Sequence, residues 1–405
     1  MASRSRMGRR EFIVTSAGAL AAGLGSASGR VPASEIEEAA AKVGRLPQRA
    51  LDRSGRKVSV LIGAATWAPE AVEAGILCGI NYWHKSDEWD GRSVPPAILK
   101  NREAHYCEVC VDRVRGNHET GVIDEQAHYE FVKHALERTG LRYFDDMMFH
   151  FGYHRTAELK SNPAFLRTFE RLKKEGLVRH LCLSQHSYNG NGRVPDGEDR
   201  ATILTAVVAD GVYEHAQFAF TFGEEEALNK FVGLAKSKGF GTTAMKTTGG
   251  AARMQADREF MSKFPSGTTP HNALARWLTT RTDLSAAVIQ INNLEQFVDT
   301  YSGAGKPLRA ADARAIEVMT AYANREVCRL CNECMSHCGQ GVAIADILRY
   351  ERYATDYGER ERARRLYAQL DKRADACLVC GSCLPHCPQG LNVPAKLADA
   401  HRLLS

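Results

Sequence analysis

Little net charge remains in this chain once its first thirty residues are set aside. The 405-residue sequence has a formal net charge of +5, and residues 1–30, with five arginines against one glutamate, hold four of those charges. A body so close to neutral lacks the cationic surface that nucleic acid requires, and that class of partner is excluded. A long apolar run is also missing. The stretch Ile13–Gly25 is rich in Ala and Gly but too short to span a bilayer. Nor is there a bias toward disorder, with 44% hydrophobic and 25% charged residues. The length accommodates one large domain and an appendage.

Cysteine is plentiful and unevenly placed. Eight of the twelve cysteines form two ladders near the C-terminus, Cys328, Cys331, Cys334, Cys338 and Cys377, Cys380, Cys383, Cys387. Both read C-x2-C-x2-C-x3-C. This spacing wraps three thiolates around one face of an iron–sulfur cube and sends the fourth to the other cube of a pair. Cys328, Cys331, Cys334 and Cys387 are therefore expected to hold one [4Fe–4S] cluster, and Cys377, Cys380, Cys383 and Cys338 a second. Pro388 follows Cys387 as the motif expects; Gly339 stands at the equivalent place in the first ladder. Zinc sites are built from separated pairs rather than repeated four-cysteine ladders. Disulfides suit exported proteins but do not require this spacing. Cys78, Cys107, Cys110 and Cys182 are left over.

The leader reads Arg9-Arg10-Glu11-Phe12-Ile13 and then an apolar, small-residue run. It resembles a twin-arginine export signal over residues 1–33. That route carries folded proteins, as a host of clusters built in the cytoplasm requires. The expected location is the periplasm or the extracytoplasmic face, with no membrane span after cleavage. A basic N-terminus fused to a helix, or an uncleaved anchor, is the alternative. Residues 34–56 read as a linker.

From 57 to 305, strand and helix signals alternate. Strands are predicted over Val58–Ile62, Ile80–His84, Ala104–Val111, Tyr143–Phe149, Val178–Ser184, Tyr213–Ala219, Thr242–Lys246 and Ala286–Ile291. Caps and stops punctuate the helices between them: Asn162-Pro163, Thr269-Pro270 and Asn293 at starts, Gly140, Gly176, Gly211 and Gly239 at ends. Eight βα units in about 250 residues match a (β/α)8 TIM barrel; a doubly wound sheet seldom needs eight. Residues 306–324 read as a helical connector, and 325–405 as a small α-helical ferredoxin-like domain with a helix after each ladder. The fold class is thus α/β, a barrel followed by a two-cluster module.

Several stretches resemble the aldo/keto reductase family in order and spacing. They are Gly79-Ile80-Asn81-Tyr82, Phe144-Asp145-Asp146-Met147-Met148-Phe149-His150, Gly176 to His186, and Gly241 to Gly250. The tail resembles that of the family's iron–sulfur branch. The resemblance implies the barrel fold, NADPH-dependent carbonyl reduction, and a tetrad of Asp, Tyr, Lys and His on strand ends. By it, His84 stands in the Asp position, Trp89 in the Tyr position and Cys110 in the Lys position, and only His150 is retained. An indole cannot act as the phenol does. Strand alternation sets Lys85 on the face opposite His84. For a nicotinamide nucleotide, the resemblance points to Ser184, Gln185 and Gln217 at the carboxamide, Phe220 stacking on the ring and Lys246 toward a phosphate. Gln290-Ile291-Asn292 supplies no Lys or Arg for the adenosine phosphate. Gly249-Gly250 is either a phosphate loop or only a turn.

His84, Cys110, Trp89 and His150 are expected at the C-terminal mouth of the barrel, where such folds keep their chemistry. Two His and a Cys suit a metal or a thiolate–imidazole pair; a packed remnant is the alternative. Asp87-Glu88 reads as a solvated loop or an acid/base pair, His186 as a surface or mouth residue, and His105 as structural. Three functions follow. One is an exported oxidoreductase passing electrons through two [4Fe–4S] clusters between a redox partner protein and a small-molecule substrate at the mouth. The second is an NADP(H)-dependent reductase with a rearranged site. The third is a non-enzymatic electron carrier on a retired barrel.

Overall fold

The computed structural model describes residues 31–91, 93–112, 124–150, 152–161, 163–185, 198–223, 226–356 and 360–405. The twin-arginine segment, Asn162 and His186 lie outside the described residues. Ten strands are present among the described residues: β1 (Gln48–Ala50), β2 (Lys57–Ser59), β3 (Leu61–Ala64), β4 (Tyr82–His84), β5 (Tyr106–Asp112), β6 (Phe144–His150), β7 (Val178–Gln185), β8 (His215–Ala219), β9 (Gly241–Met245) and β10 (Ala286–Val288). The last eight close into a barrel in the order β10-β3-β4-β5-β6-β7-β8-β9, every pair parallel. A (β/α)8 barrel is the observed fold.

Residues 34–56, read above as a linker, are instead built into the domain. Helix Ala33–Val43 buries Ile36, Ala39, Ala40 and Val43, spaced to make one apolar stripe. The antiparallel hairpin β1–β2 then plugs the N-terminal end of the barrel, where Leu51 and Val58 pack on Ile62, Tyr82 and Ala286. Apolar burial therefore fixes this segment to the barrel. Alternation along β6 separates its two aspartates. Asp145 faces outward to Arg102 at 2.7 Å, whereas Asp146 faces inward to Arg56 at 2.8 Å. Arg56 also holds Asp52 at 2.5 Å, so the barrel floor is a closed, buried ion group.

Helix Ala310–Glu326 leaves the barrel and leads to a module whose described residues hold no strand, with helices Ile344–Thr355, Arg360–Ala368 and Val393–Leu404. The module has its own core of Val342, Ile347, Leu348, Tyr367, Leu391 and Leu397. It sits on the C-terminal side of the barrel. Arg253, just after β9, reaches Glu351 at 2.9 Å, Asp356 at 3.3 Å and the Thr355 hydroxyl at 2.7 Å. Charge-assisted bonds of this kind contribute about 1.5–3 kcal/mol. Arg253→Ala is expected to weaken docking by that order, read as faster amide hydrogen exchange in helix Ile344–Thr355 with the barrel strands unchanged.

Candidate functional site

Two constellations lie close together, one inside the barrel mouth and one in the module above it. At the mouth, His84 ends β4, Cys110 lies on β5 and His150 ends β6. Lys85 follows His84 with φ +54. That left-handed turn breaks the pleat, so alternation no longer sends Lys85 to the far face. Its charge bears on Cys110 and on His150, which puts it at the mouth with them and corrects the reading from strand register.

Glu108, which the sequence reading passed over, is the centre of the site. It is fully buried, and its carboxylate meets His84 Nδ1 at 2.5 Å, accepts from the Tyr82 hydroxyl at 2.9 Å and faces the Cys110 thiol at 3.4 Å. Burial alone would raise its pKa, but His84, His215 and Tyr82 more than offset this and hold it low. One group that converges as candidate metal ligands is His84, Glu108 and Cys110, rather than His84, Cys110 and His150. Each is already engaged with another, so the arrangement is a satisfied polar network. Burial, with Glu108 and Asp87 beside it, pushes the Cys110 thiol well up, away from the thiolate. His150 is pushed down to about 3 by burial and by Lys85 and His84, which leaves a neutral imidazole.

Asp87 does not lie in a solvated loop. It is 8% exposed, accepts from the Cys110 backbone N–H at 3.1 Å, and is raised to about 6 by burial, with Glu88 adding repulsion. Lys85 pairs with Glu88 at 2.7 Å. Trp89 is displaced from the position given it by resemblance. It packs on Trp83 in the outer layer, ring centroids 6.0 Å apart, from the short helical turn Ser86–Gly91. His105 accepts from the Trp83 indole at 3.2 Å.

Two of the nicotinamide set, Gln185 and Phe220, are engaged in packing. Gln185 is spent on the backbone of Tyr153, accepting from its N–H at 3.0 Å and donating to its carbonyl at 2.8 Å. Phe220 points into the helical layer, stacked 6.0 Å from Trp277 with the Arg281 guanidinium 5.1 Å away. Ser184 and Gln217 line the barrel interior beside Met245, with Gln217 3.3 Å from His84. Lys246 follows β9 with φ +54. Gly249 and Gly250 form a packed turn: a Cβ at Gly249 would meet Phe222, and one at Gly250 would meet Val327.

The ladders fold as two short turns with matching backbone. Leu330 and Val379 take φ of 59° and 55°, and Asn332 and Gly381 follow with 68° and 77°. Left-handed residues at equal positions turn successive cysteines toward one centre. Cys328, Cys331, Cys334 and Cys387 line one cavity. The N–H groups of Leu330 and Leu391 point at the sulfurs of Cys328 and Cys387, at 3.4 and 3.3 Å. Around Cys383 the sulfurs are those of Cys377, Cys338 and Cys380. Two sets of four sulfurs, crossed between ladders as the spacing predicts, fit a pair of cubes. His337 and His386, each one residue before the last cysteine of its ladder, stack with centroids 3.3 Å apart and planes 4° from parallel.

Residues 327–391 match the family model described as a 4Fe-4S dicluster domain. No curated protein matches the chain. Among solved structures the barrel is similar to an aldo-keto reductase from Bacillus halodurans in its holo form, at 15% identity over 68% of this chain and 96% of that one, with a TM-score of 0.48. An aldo/keto reductase from Brucella melitensis aligns at 14% identity over 68% of this chain and 98% of that one, with a TM-score of 0.47.

Proposed function

We propose that this chain is an exported iron–sulfur oxidoreductase that exchanges electrons between a partner protein at the outer cysteine set and a small molecule at the barrel mouth, its two clusters supplying one-electron carriers. The observation that carries this reading is the seating of the first cysteine set against the mouth. Leu330 and Cys331 share a cavity with Asp199, Arg200 and Leu228 of the barrel, and Val327, Arg329 and Leu330 share another with Phe220, Thr221 and Lys246. The second set faces outward: Cys380 is exposed, and Leu378 and Val379 beside it are 68% and 72% exposed.

The chain's own residues supply proton handling. Asp87, with a pKa of about 6, holds or releases a proton near neutral pH. Lys85 and neutral His150 line the same mouth and can orient a polar substrate group. Glu108 fixes the ring of His84. An NADP(H)-dependent route is weakened because Gln185 and Phe220 are committed to packing.

The test is anaerobic purification with iron and sulfide counts, then reduction followed by EPR. Two interacting cubes are expected, reduced by a low-potential one-electron donor and not by NADPH. Reduction by NADPH alone, with quenching of nicotinamide fluorescence, would favour the nicotinamide reading. Adjacent exposed Leu and Val at a redox centre suit a transient apolar contact. Val379→Asp is expected to lower the rate of reduction by the partner about tenfold and to leave reduction by dithionite unchanged.

A further inference from the structure

Glu108 has a second set of neighbours, which the mouth does not use. Cys182 on β7 and His215 at the start of β8 stand opposite each other in the strand register. Their ligand atoms and a carboxylate oxygen of Glu108 all lie within 4.8 Å of one another. That is about the span of one ion with bonds of about 2.0–2.3 Å on either side. All three residues are at most 1% exposed. Branched apolar side chains ordinarily fill a barrel interior, so three ligating types brought together there from three strands need a reason. The atoms around them are arranged as around a ligand set. His215 Nδ1 faces Asp146 Oδ1 at 3.5 Å, and both atoms are buried without a hydrogen bond among the described residues. Asp146 is anchored in turn by Arg56 at 2.8 Å. A carboxylate at one ring nitrogen leaves the other for an ion, and is the usual support of a metal-bound imidazole. Glu108 Oε1 is taken by His84 and Cys110, whereas Oε2 accepts from Tyr82 alone among the described residues and has room for a second partner. Cys182 is a free thiol packed with Met148 and Cys110. Gly241 keeps the place of the imidazole open, since a Cβ there would come within 2.4 Å of the His215 Cβ.

We propose that Glu108, Cys182 and His215 bind a single zinc ion inside the barrel, beneath the mouth. Thiolate and imidazole select zinc over magnesium or calcium. Burial holds His215 neutral, the state in which an imidazole ligates. Glu108 is held ionised by its neighbours. Burial, with Glu108 and Asp146 beside it, pushes the Cys182 thiol well up, so it keeps its proton until a cation displaces it. Binding therefore forms the zinc–sulfur bond and releases that one proton to solvent. One carboxylate, one thiolate and a neutral imidazole around a divalent ion sum to zero charge, which spares the dry interior an unpaired ion. Because Glu108 also holds His84, the zinc fixes the imidazole of the mouth from below. The site does not rest on the electron route proposed above, since none of the ladder cysteines belongs to it.

X-ray absorption at the zinc edge reads zinc without interference from iron, so the test uses the anaerobically purified holoprotein, produced with zinc in the medium and freed of excess by gel filtration. One zinc per chain is expected, with a single sulfur at about 2.3 Å and nitrogen and oxygen at about 2.0 Å. Cys182→Ser and His215→Gln are each expected to lower the zinc content roughly tenfold or more, with iron content unchanged. A parent protein with no zinc above the buffer background overturns the proposal without recourse to any variant. So does zinc surrounded by four sulfurs, which would put it in the cysteine ladders. Zinc retained in full by both variants overturns it as well. The readout needs no turnover, so a protein that holds this zinc but takes no electrons from a partner retains the site and loses only the function proposed above.

Discussion

Cys387→Ser is expected to remove the cluster of the first ladder although the residue belongs to the second. In sequence, Cys387 closes the run Cys377, Cys380, Cys383. In space it lines the cavity of Cys328, Cys331 and Cys334, and the Leu391 N–H points at its sulfur from 3.3 Å. Cys338 makes the reverse crossing and joins the sulfurs around Cys383. Hydroxyl for thiolate loses a soft ligand to iron, so each variant should retain about half of the parent's iron. The diagnostic is the pairing of spectra. Cys387→Ser should give the EPR signal of Cys331→Ser, and Cys338→Ser that of Cys380→Ser. A Cys387→Ser protein that matched Cys380→Ser would mean that each ladder closes on itself. Partner-linked turnover should be abolished in all four. Stability should fall as well, because the module's own core is small and metal ligation ties its turns together.

The ladders were legible because ligand spacing is a local property: three cysteines on one turn need no information from elsewhere in the chain. The barrel was legible for a similar reason, since each βα unit carries its own period and caps. Asp124, Thr269 and Asn293 each accept from an N–H of their helix, and Gly140 and Gly211 stop theirs in the left-handed region. The mouth was less legible. Glu108 hides in a strand of ordinary composition, and its importance comes from register: β5 aligns it inward among side chains of β4 and β8 that are distant in sequence. Lys85 was misassigned because alternation holds only while the strand continues, and the strand ends at His84. Phe220 and Gln185 were assigned by resemblance, which gives position along the chain but not what a neighbouring helix or loop has already claimed. The linker reading failed on a different count: composition of 34–56 is polar on average, and only the spacing of Ile36, Ala39, Ala40 and Val43 shows its apolar stripe.

Asp87→Asn separates structure from function at the mouth, because it is expected to raise stability and lower activity together. The carboxyl is 8% exposed, and burial with Glu88 lifts its pKa to about 6, against the backbone N–H of Cys110 and the charge of Lys85, which act the other way. The folded protein therefore holds a proton that the unfolded chain releases between the ordinary aspartate range and about pH 6. A folded state that binds the extra proton loses stability as pH rises through that window, and above about 6 the cost of the buried charge is complete, of order 3 kcal/mol at most. Asparagine cannot ionise, yet its side-chain carbonyl still accepts from the Cys110 N–H. The variant should be more stable than the parent at pH 7–8 by up to roughly that amount, and the two should converge near pH 4. Urea unfolding of the anaerobic holoprotein at both pH values measures this. If Asp87 delivers the proton that accompanies electron transfer at the mouth, turnover with a low-potential donor should fall about 100-fold, with the pH–rate limb near 6 gone. A structural aspartate would give a different result: the same gain in stability with turnover and its pH profile untouched. Strain retained at the cost of stability is a mark of a working site, and this one substitution tells whether the mouth bears it for that reason.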